Sequence, residues 1–264
     1  MILIDAIRGY FPPEIRDNSL FDRYILKEYI QLSILDYLST TLFIRKIVLI
    51  GGTNLRLVKG IDRFSEDLDF DTKNLSKKEF FEMTDGILQF MKRNGLNVIT
   101  RDRDNNKLTA FRRSYYFPGF LFELGLTAHR EERFMIKIES EDQRVNYKPE
   151  LVNIKGCGFF FPMTVPPDAV LCAMKITAML QRQKGRDFYD VFFLLGKTGP
   201  DYSFLSQRCG ISNPEELKLT VEKMLKTTDL IKKMKDFEHI LFNRDKSKQI
   251  LRIGELVSSI TSTR

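Results

Sequence analysis

The stretch from Lys46 to Asp71, KIVLIGGTNLRLVKGIDRFSEDLDFD, constrains this chain more than any other. Lys46-Ile47-Val48-Leu49-Ile50 is a β-rich run halted by Gly51-Gly52, which reads as a buried strand ending in a turn. Thr53 to Val58 lacks strand alternation and reads as a short helix. Asp67-Leu68-Asp69-Phe70-Asp71 then alternates with period two, so it reads as a second strand with its carboxylates on one face.

The rest of the chain frames this unit. Tyr24, Ile25, Tyr29, Ile30, Leu32, Ile34, Leu35 and Leu38 give a helix from about Leu20 to Leu38 a broad apolar face. Ser76 with Glu79 three residues on is a capping-box start for a helix that Gly95 stops. Strands are expected at Leu96–Asp102, Lys107–Phe117, Phe134–Glu139 and Gly158–Phe161. After Pro166-Pro167 the pattern turns helical, with Asp168 as the expected N-cap. Helices are expected at Val170–Gln183, Asp187–Leu195, Pro214–Lys226, Asp229–Phe237 and Lys248–Ser259. The fold class is therefore α+β, with an α/β domain over residues 1–165 and a helical domain over residues 166–264.

Composition removes several classes. Three cysteines (Cys157, Cys172, Cys209) make no disulfide framework and suit a reducing, cytoplasmic setting. No stretch reaches the roughly 20 apolar residues of a membrane span. The N-terminus lacks the basic start and small-residue cleavage site of a secretory signal. With only His129 and His239, a finger-type zinc site has no ligands. The net charge of +7 is compatible with a polyanionic partner and equally with ordinary solubility.

Three features carry chemistry. Gly51-Gly52-Thr53 lets the backbone approach a phosphate and offers free amides and a hydroxyl, although most such turns are only turns. Asp67 and Asp69 stand about 7 Å apart along the strand, and their mutual repulsion is relieved by a divalent cation; a solvated edge strand is the competing reading. Lys175 and Arg182, seven residues apart, share a helix face ahead of Arg186, Asp187 and Asp190. They read as a phosphate clamp or as a surface ion-pair ladder.

Gly-Gly-Thr followed by Asp-x-Asp, in the order strand, turn, helix, strand, resembles the signature of the polymerase-β-like nucleotidyltransferase superfamily. On a longer reading, VLIGGTNLRLVKGIDRFSEDLDFD looks like the first motif block of the AbiEii/AbiGii toxin family, associated with abortive infection and type IV toxin–antitoxin systems. VPPDAVLCAMKITAMLQRQKGRDFYDVFFLL resembles that family's later block, a helical Lys followed by Arg-Asp-x-x-Asp.

The resemblance implies a polymerase-β-like α/β domain with a mixed sheet, and a helical domain that completes the active site. It implies that Gly51, Gly52 and Thr53 hold the nucleotide triphosphate, with Lys175 on its phosphates; Arg182 joins the nucleotide-binding set through the helix face it shares with Lys175. Asp67 and Asp69 would bind Mg²⁺, and Asp187 would complete the catalytic set. Glu139 is the candidate third carboxylate, on a neighbouring strand, and a simple pair with Lys137 is its alternative. Asp190 could equally be structural, Arg186 could pair with either helical carboxylate or with the strand acids, and Arg63 and Ser65 could serve only to fix their loop. The implied reaction is transfer of a nucleoside monophosphate from an NTP to an acceptor hydroxyl. RNA is the expected acceptor, with tRNA 3′ ends a candidate, growth inhibition the outcome and a separately encoded antitoxin the expected partner. The lysine-rich tail (Lys218 to Lys248) suits phosphate contacts or a solvated helical face. Transfer to a protein or small molecule, phosphoryl transfer, and a non-catalytic binding module remain the alternatives.

Overall fold

The computed structural model describes residues 3–101 and 110–261. The chain divides into two units, the first comprising Met1–Gly60, Phe64–Arg144 and Pro149–Val165. The second comprises Ile61–Arg63, Val145–Lys148 and Pro166–Arg264. Two short early segments thus belong to the second unit, and no composition signal marks them.

In the first unit, short helices α1 (Ile4–Arg8) and α2 (Pro13–Arg16) precede α3 (Asp22–Ser39). Strand β1 (Ile47–Ile50) leads directly into α4 (Gly51–Leu57), then β2 (Leu68–Thr72) and α5 (Lys77–Arg93). The capping box at Ser76 and Glu79 forms as expected, and α5 buries Phe80, Met83, Thr84, Ile87 and Met91 at helical spacing. Strands β3 (Ile99–Arg101) and β4 (Phe111–Tyr116) follow; the expected strand residues 102 and 107–109 lie outside the described residues. A single turn of helix, α6 (Phe120–Glu123), precedes β5 (Met135–Glu141) and the hairpin β6 (Glu150–Gly156) and β7 (Phe159–Val165).

Five strands form a mixed sheet in the order β1-β2-β5-β4-β3. Only the β2–β5 pair is parallel. Its two faces differ. Leu49, Leu68, Phe70, Ile136, Ile138 and Tyr115 share one face and are fully buried or nearly so. Tyr115 donates from its hydroxyl to the Thr84 carbonyl of α5 at 2.8 Å, which places α5 on that face. The other face carries Asp69, Lys137, Glu139, Arg112 and Ser114, and these stay partly open to solvent.

The hairpin strand β6 has no counterpart among the strands expected from sequence. Of its residues only Ile154 is buried, so the alternation that announces a half-buried strand is too weak to see.

In the second unit, α7 (Asp168–Arg182), α8 (Gly185–Leu195) and α9 (Tyr202–Cys209) are followed by α10 (Pro214–Leu225) and α11 (Leu230–Lys235). A 3-10 stretch over Arg244–Arg252 continues into α12 (Ile253–Thr261). Asp168 is the first helical residue of α7 and Pro167 its cap; the proline fixes the extended entry, and Asp168 faces the positive helix start without a cap bond. Helix α9 went unforeseen because only Phe204 and Leu205 of it are buried, too few to show a period. Gly185 opens α8 because a Cβ there would collide with the Lys233 carbonyl of α11. The early segment is stitched in by main chain: Arg63 bridges to Leu241, and the Phe242 amide donates to the Asp62 carbonyl at 3.1 Å. Among the described residues, no helix is long and apolar enough to cross a membrane.

Candidate active site

The first unit gathers Gly51, Gly52, Thr53, Asp67, Asp69 and Glu139 around the open face of the sheet. Gly51 begins α4 with φ +75°, a left-handed conformation that a residue with a Cβ pays about 1–2 kcal/mol to adopt. A Cβ at this position would also overlap the Asp69 carboxylate and lie 2.8 Å from the Asp69 Cβ. Asp69 pairs with Ile50 on one side and with Glu139 on the other, so the glycine turn is directly beside the acidic strand.

Thr53 is 1% exposed. Its hydroxyl donates to the main-chain oxygen of Asp67 at 2.5 Å and lies 3.0 Å from the Ser65 hydroxyl. The threonine therefore fastens the backbone of the first carboxylate, a duty that its position in the glycine turn did not reveal.

Residues missed in the sequence hold the same loop. Helix α3 carries a buried polar stripe within its apolar surface: Lys27, Glu28 and Gln31. Lys27 pairs with Glu66 at 2.7 Å, and Glu28 receives a forked pair from Arg56 at 2.7 and 3.0 Å. The Gln31 amide donates to the carbonyls of Ser65 and Asp67 at 3.3 and 3.4 Å. Phe64, fully buried, packs against the Phe21 and Tyr24 rings at centroid distances of 5.4 Å each. Such ring pairs contribute about 0.5–1.5 kcal/mol beyond their buried area. Three polar residues, Lys27, Glu28 and Gln31, within five positions of an apolar helix were the available signal.

Asp67 and Glu139 are bridged by one ammonium. Lys137 Nζ lies 3.0 Å from Asp67 Oδ2 and 2.8 Å from Glu139 Oε1. Arg112, opposite Glu139 on β4, places its Nε 2.9 Å from the same Oε1. Burial opposes the Lys137 charge, but bonds to Glu139 and Asp67 outweigh it and raise its pKa above the ordinary lysine value. Burial likewise opposes the Glu139 charge, and Lys137 and Arg112 together hold its pKa below the usual carboxylate range. The pair between Lys137 and Glu139 foreseen as an alternative is thus present, and so is the alignment of Glu139 with Asp69.

The donor set fits Mg²⁺: hard carboxylate oxygens on an open face, held at the end of a tight turn. Lys137 already stands as a cation between two of them. Among the described residues no three His, Cys, Asp or Glu side chains converge as a ligand set, so two carboxylates plus substrate phosphates is the arrangement these residues suit.

The second unit gathers the helical residues. Lys175 is 7% exposed, and its Nζ lies 2.9 Å from Asp190 Oδ2. Arg63 meets the same carboxylate as a fork, Nε to Oδ1 and Nη2 to Oδ2, both at 2.7 Å. Burial alone would raise the Asp190 pKa, but Arg63 and Lys175 hold it below the usual range. Asp187, fully buried, takes Arg182 at 2.6 Å and the Lys184 amide at 3.2 Å. The two carboxylates are met by Arg182 and Arg63, not by the Arg186 that lies beside them in sequence. Arg63 reaches its partner across 127 residues of chain, a distance at which no local pattern is informative.

A family model described as "Nucleotidyl transferase AbiEii toxin, Type IV TA system" matches residues 33–244. Among solved structures, MenT4, a nucleotidyltransferase toxin from Mycobacterium tuberculosis, superposes with a TM-score of 0.66 at 15% identity, covering 100% of this chain and 91% of that one. JHP933 from Helicobacter pylori superposes with a TM-score of 0.56 at 20% identity, covering 90% of this chain and 92% of that one. At these identities the two structures show a shared fold. No curated protein matches the chain.

Proposed function

The chain belongs to the AbiEii family of nucleotidyltransferase toxins of type IV toxin–antitoxin systems, and from that membership we propose that it transfers a nucleoside monophosphate from a Mg²⁺-bound NTP to a hydroxyl of RNA, the 3′ end of tRNA being the first candidate. The family implies an NTP substrate and a cognate antitoxin. The Mg²⁺ dependence, the RNA acceptor and the cytoplasmic setting are our reading.

One observation carries it: the Asp69 carboxylate occupies the space that the missing side chain of Gly51 leaves. A turn built to bring backbone so close to a strand carboxylate has a use at a phosphate-and-metal site, and a pure binding module has no need of it. Asp67 and Asp69 would hold the ion. Bound there, Mg²⁺ would supply Lewis-acid polarisation of the reacting phosphoryl group. Thr53 and Gln31 keep the Asp67 backbone in place through its carbonyl. One of the strand carboxylates would accept the proton of the acceptor hydroxyl as the new phosphodiester bond forms and pyrophosphate leaves. Gly52 and the turn amides are carried as nucleotide contacts, Lys175 as a phosphate contact and Asp187 as a catalytic residue on the family pattern alone, and Arg182 as a phosphate contact on the helix face it shares with Lys175.

The test is transfer from each of the four α-³²P-labelled NTPs, with Mg²⁺, into total RNA, with Asp69→Ala beside the wild type. Label on RNA that drops at least about 100-fold in the variant is expected, since losing a metal ligand removes several kcal/mol of transition-state stabilisation. Unchanged labelling in Asp69→Ala would overturn the site. Label that follows the γ-phosphate, or that appears on protein or metabolite, would replace RNA nucleotidyl transfer with one of those reactions.

A further inference from the structure

We propose that Lys137 is a built-in second cation of this site, so that the carboxylates take one divalent ion per bound nucleotide, not two, and that Glu139 serves as the anchor of Lys137. The proposal rests on the metal-dependent reading above.

Three observations carry it. First, Lys137 is placed by the sheet itself. It shares a strand face with Glu139 two residues on, and it stands in register with Ser114 of β4. Its ammonium spans the gap between β5 and the start of β2, touching Asp67 Oδ2 at 3.0 Å and Glu139 Oε1 at 2.8 Å. Its side chain is only 25% exposed, so this is no flexible surface lysine that drifts into an ion pair.

Second, Glu139 is already spoken for. Lys137 and Arg112 both bond the same oxygen, Oε1. To ligate a metal through that oxygen, Glu139 would have to release two cations, one held two residues back on its own strand and one in register on β4. Asp67 shares Lys137 with it.

Third, the local charge count favours one ion. Asp67, Asp69 and Glu139 bring three negative charges, and Lys137 and Arg112 return two positive ones. Those two positive charges already offset part of the carboxylate charge that a second divalent cation would otherwise balance. A second would lie next to an ammonium bonded to the same carboxylates, and like charges at that spacing repel strongly in a partly desolvated site.

The test counts ions rather than turnover. The full chain is loaded with a non-hydrolysable α,β-imido NTP and Mn²⁺, and retained Mn²⁺ and nucleotide are both quantified, with electron paramagnetic resonance of the bound Mn²⁺. The expected ratio is one Mn²⁺ per nucleotide in the wild type. In Lys137→Met, which keeps the length of the side chain and removes its charge, it is two, with the line broadening of a coupled Mn²⁺ pair. Two ions per nucleotide in the wild type would overturn the proposal while leaving the nucleotidyltransferase reading standing, and that count does not depend on whether the variant folds. One ion in a folded Lys137→Met protein would overturn it as well. Neither Mn²⁺ nor nucleotide retained by the wild type would remove the metal-dependent reading and this inference with it.

Discussion

The carboxylate of Asp69 lies where a side chain on Gly51 would begin. The turn and the acidic strand are therefore one object, and no side chain can be added at Gly51 without moving Asp69. Gly51→Ala is expected to cost about 1–2 kcal/mol of stability from the left-handed backbone and far more in turnover. Displacing a site residue by about 1 Å is enough to lose about 100-fold in rate. The two effects separate in parallel measurements of denaturant midpoint and labelled-nucleotide transfer. Activity within twofold of wild type would show that the close approach is incidental.

Thr53 yields a prediction of opposite character. Thr53→Val keeps the shape but strips the short donor from the part-buried Asp67 carbonyl, which also receives the longer Gln31 contact. Leaving a buried polar group short of a partner costs about 1–3 kcal/mol. Thr53→Ser should recover most of it. If Thr53→Ser were as unstable as Thr53→Val in urea, methyl packing and not the hydroxyl would be what Thr53 supplies.

Asp190 concentrates risk in the helical unit. One carboxylate, 1% exposed, answers both Arg63 and Lys175. Removing one partner of such a buried group typically costs about 3–5 kcal/mol because charge is stranded away from water. Asp190→Ala is therefore expected to unfold at far lower denaturant or to fail to accumulate in soluble form. A shift in midpoint equivalent to less than about 1 kcal/mol would mean that water reaches the cluster and screens it.

Glu79 provides a pH signature for the start of α5. The Lys46 ammonium, and then the Ser76 amide and hydroxyl, lower its carboxyl pKa from 4.5 to about 2. A folded pKa depressed in this way contributes stability that is fully present above pH 4.5 and lost as the pH falls through about 2. The melting temperature of wild type should exceed that of Glu79→Gln at pH 7, and the gap should close between pH 4.5 and 2. A gap independent of pH would assign the effect to helix capping geometry alone.

What the sequence revealed and what it hid divide by range. The glycine turn, the acidic strand, the capping box at Ser76 and the helices after Pro167 other than α9 follow from residues within a few positions of one another. Their periodicities are local and were legible. Arg112 became visible only with the β4–β5 register, because nothing in Phe111-Arg112-Arg113 says which of its arginines faces Glu139. Lys27, Glu28 and Gln31 sat unnoticed in a helix dominated by Ile and Leu, since their partners are Glu66, Arg56 and the Ser65 carbonyl, well downstream. The same holds for the early segment Ile61–Arg63, whose membership in the helical unit depends on residues beyond 185.

That last segment sets an order of events during synthesis. Arg63 emerges from the ribosome 127 residues before Asp190, which at about 5–20 residues per second is roughly 6–25 s earlier. Throughout that interval its guanidinium has no Asp190 to meet, and the helical unit has one of its own pieces waiting upstream. A nascent chain halted anywhere before Asp190 is therefore left with an incomplete helical unit, and a gene fragment starting at Pro166 would encode its helices without the arginine that neutralises their buried carboxylate.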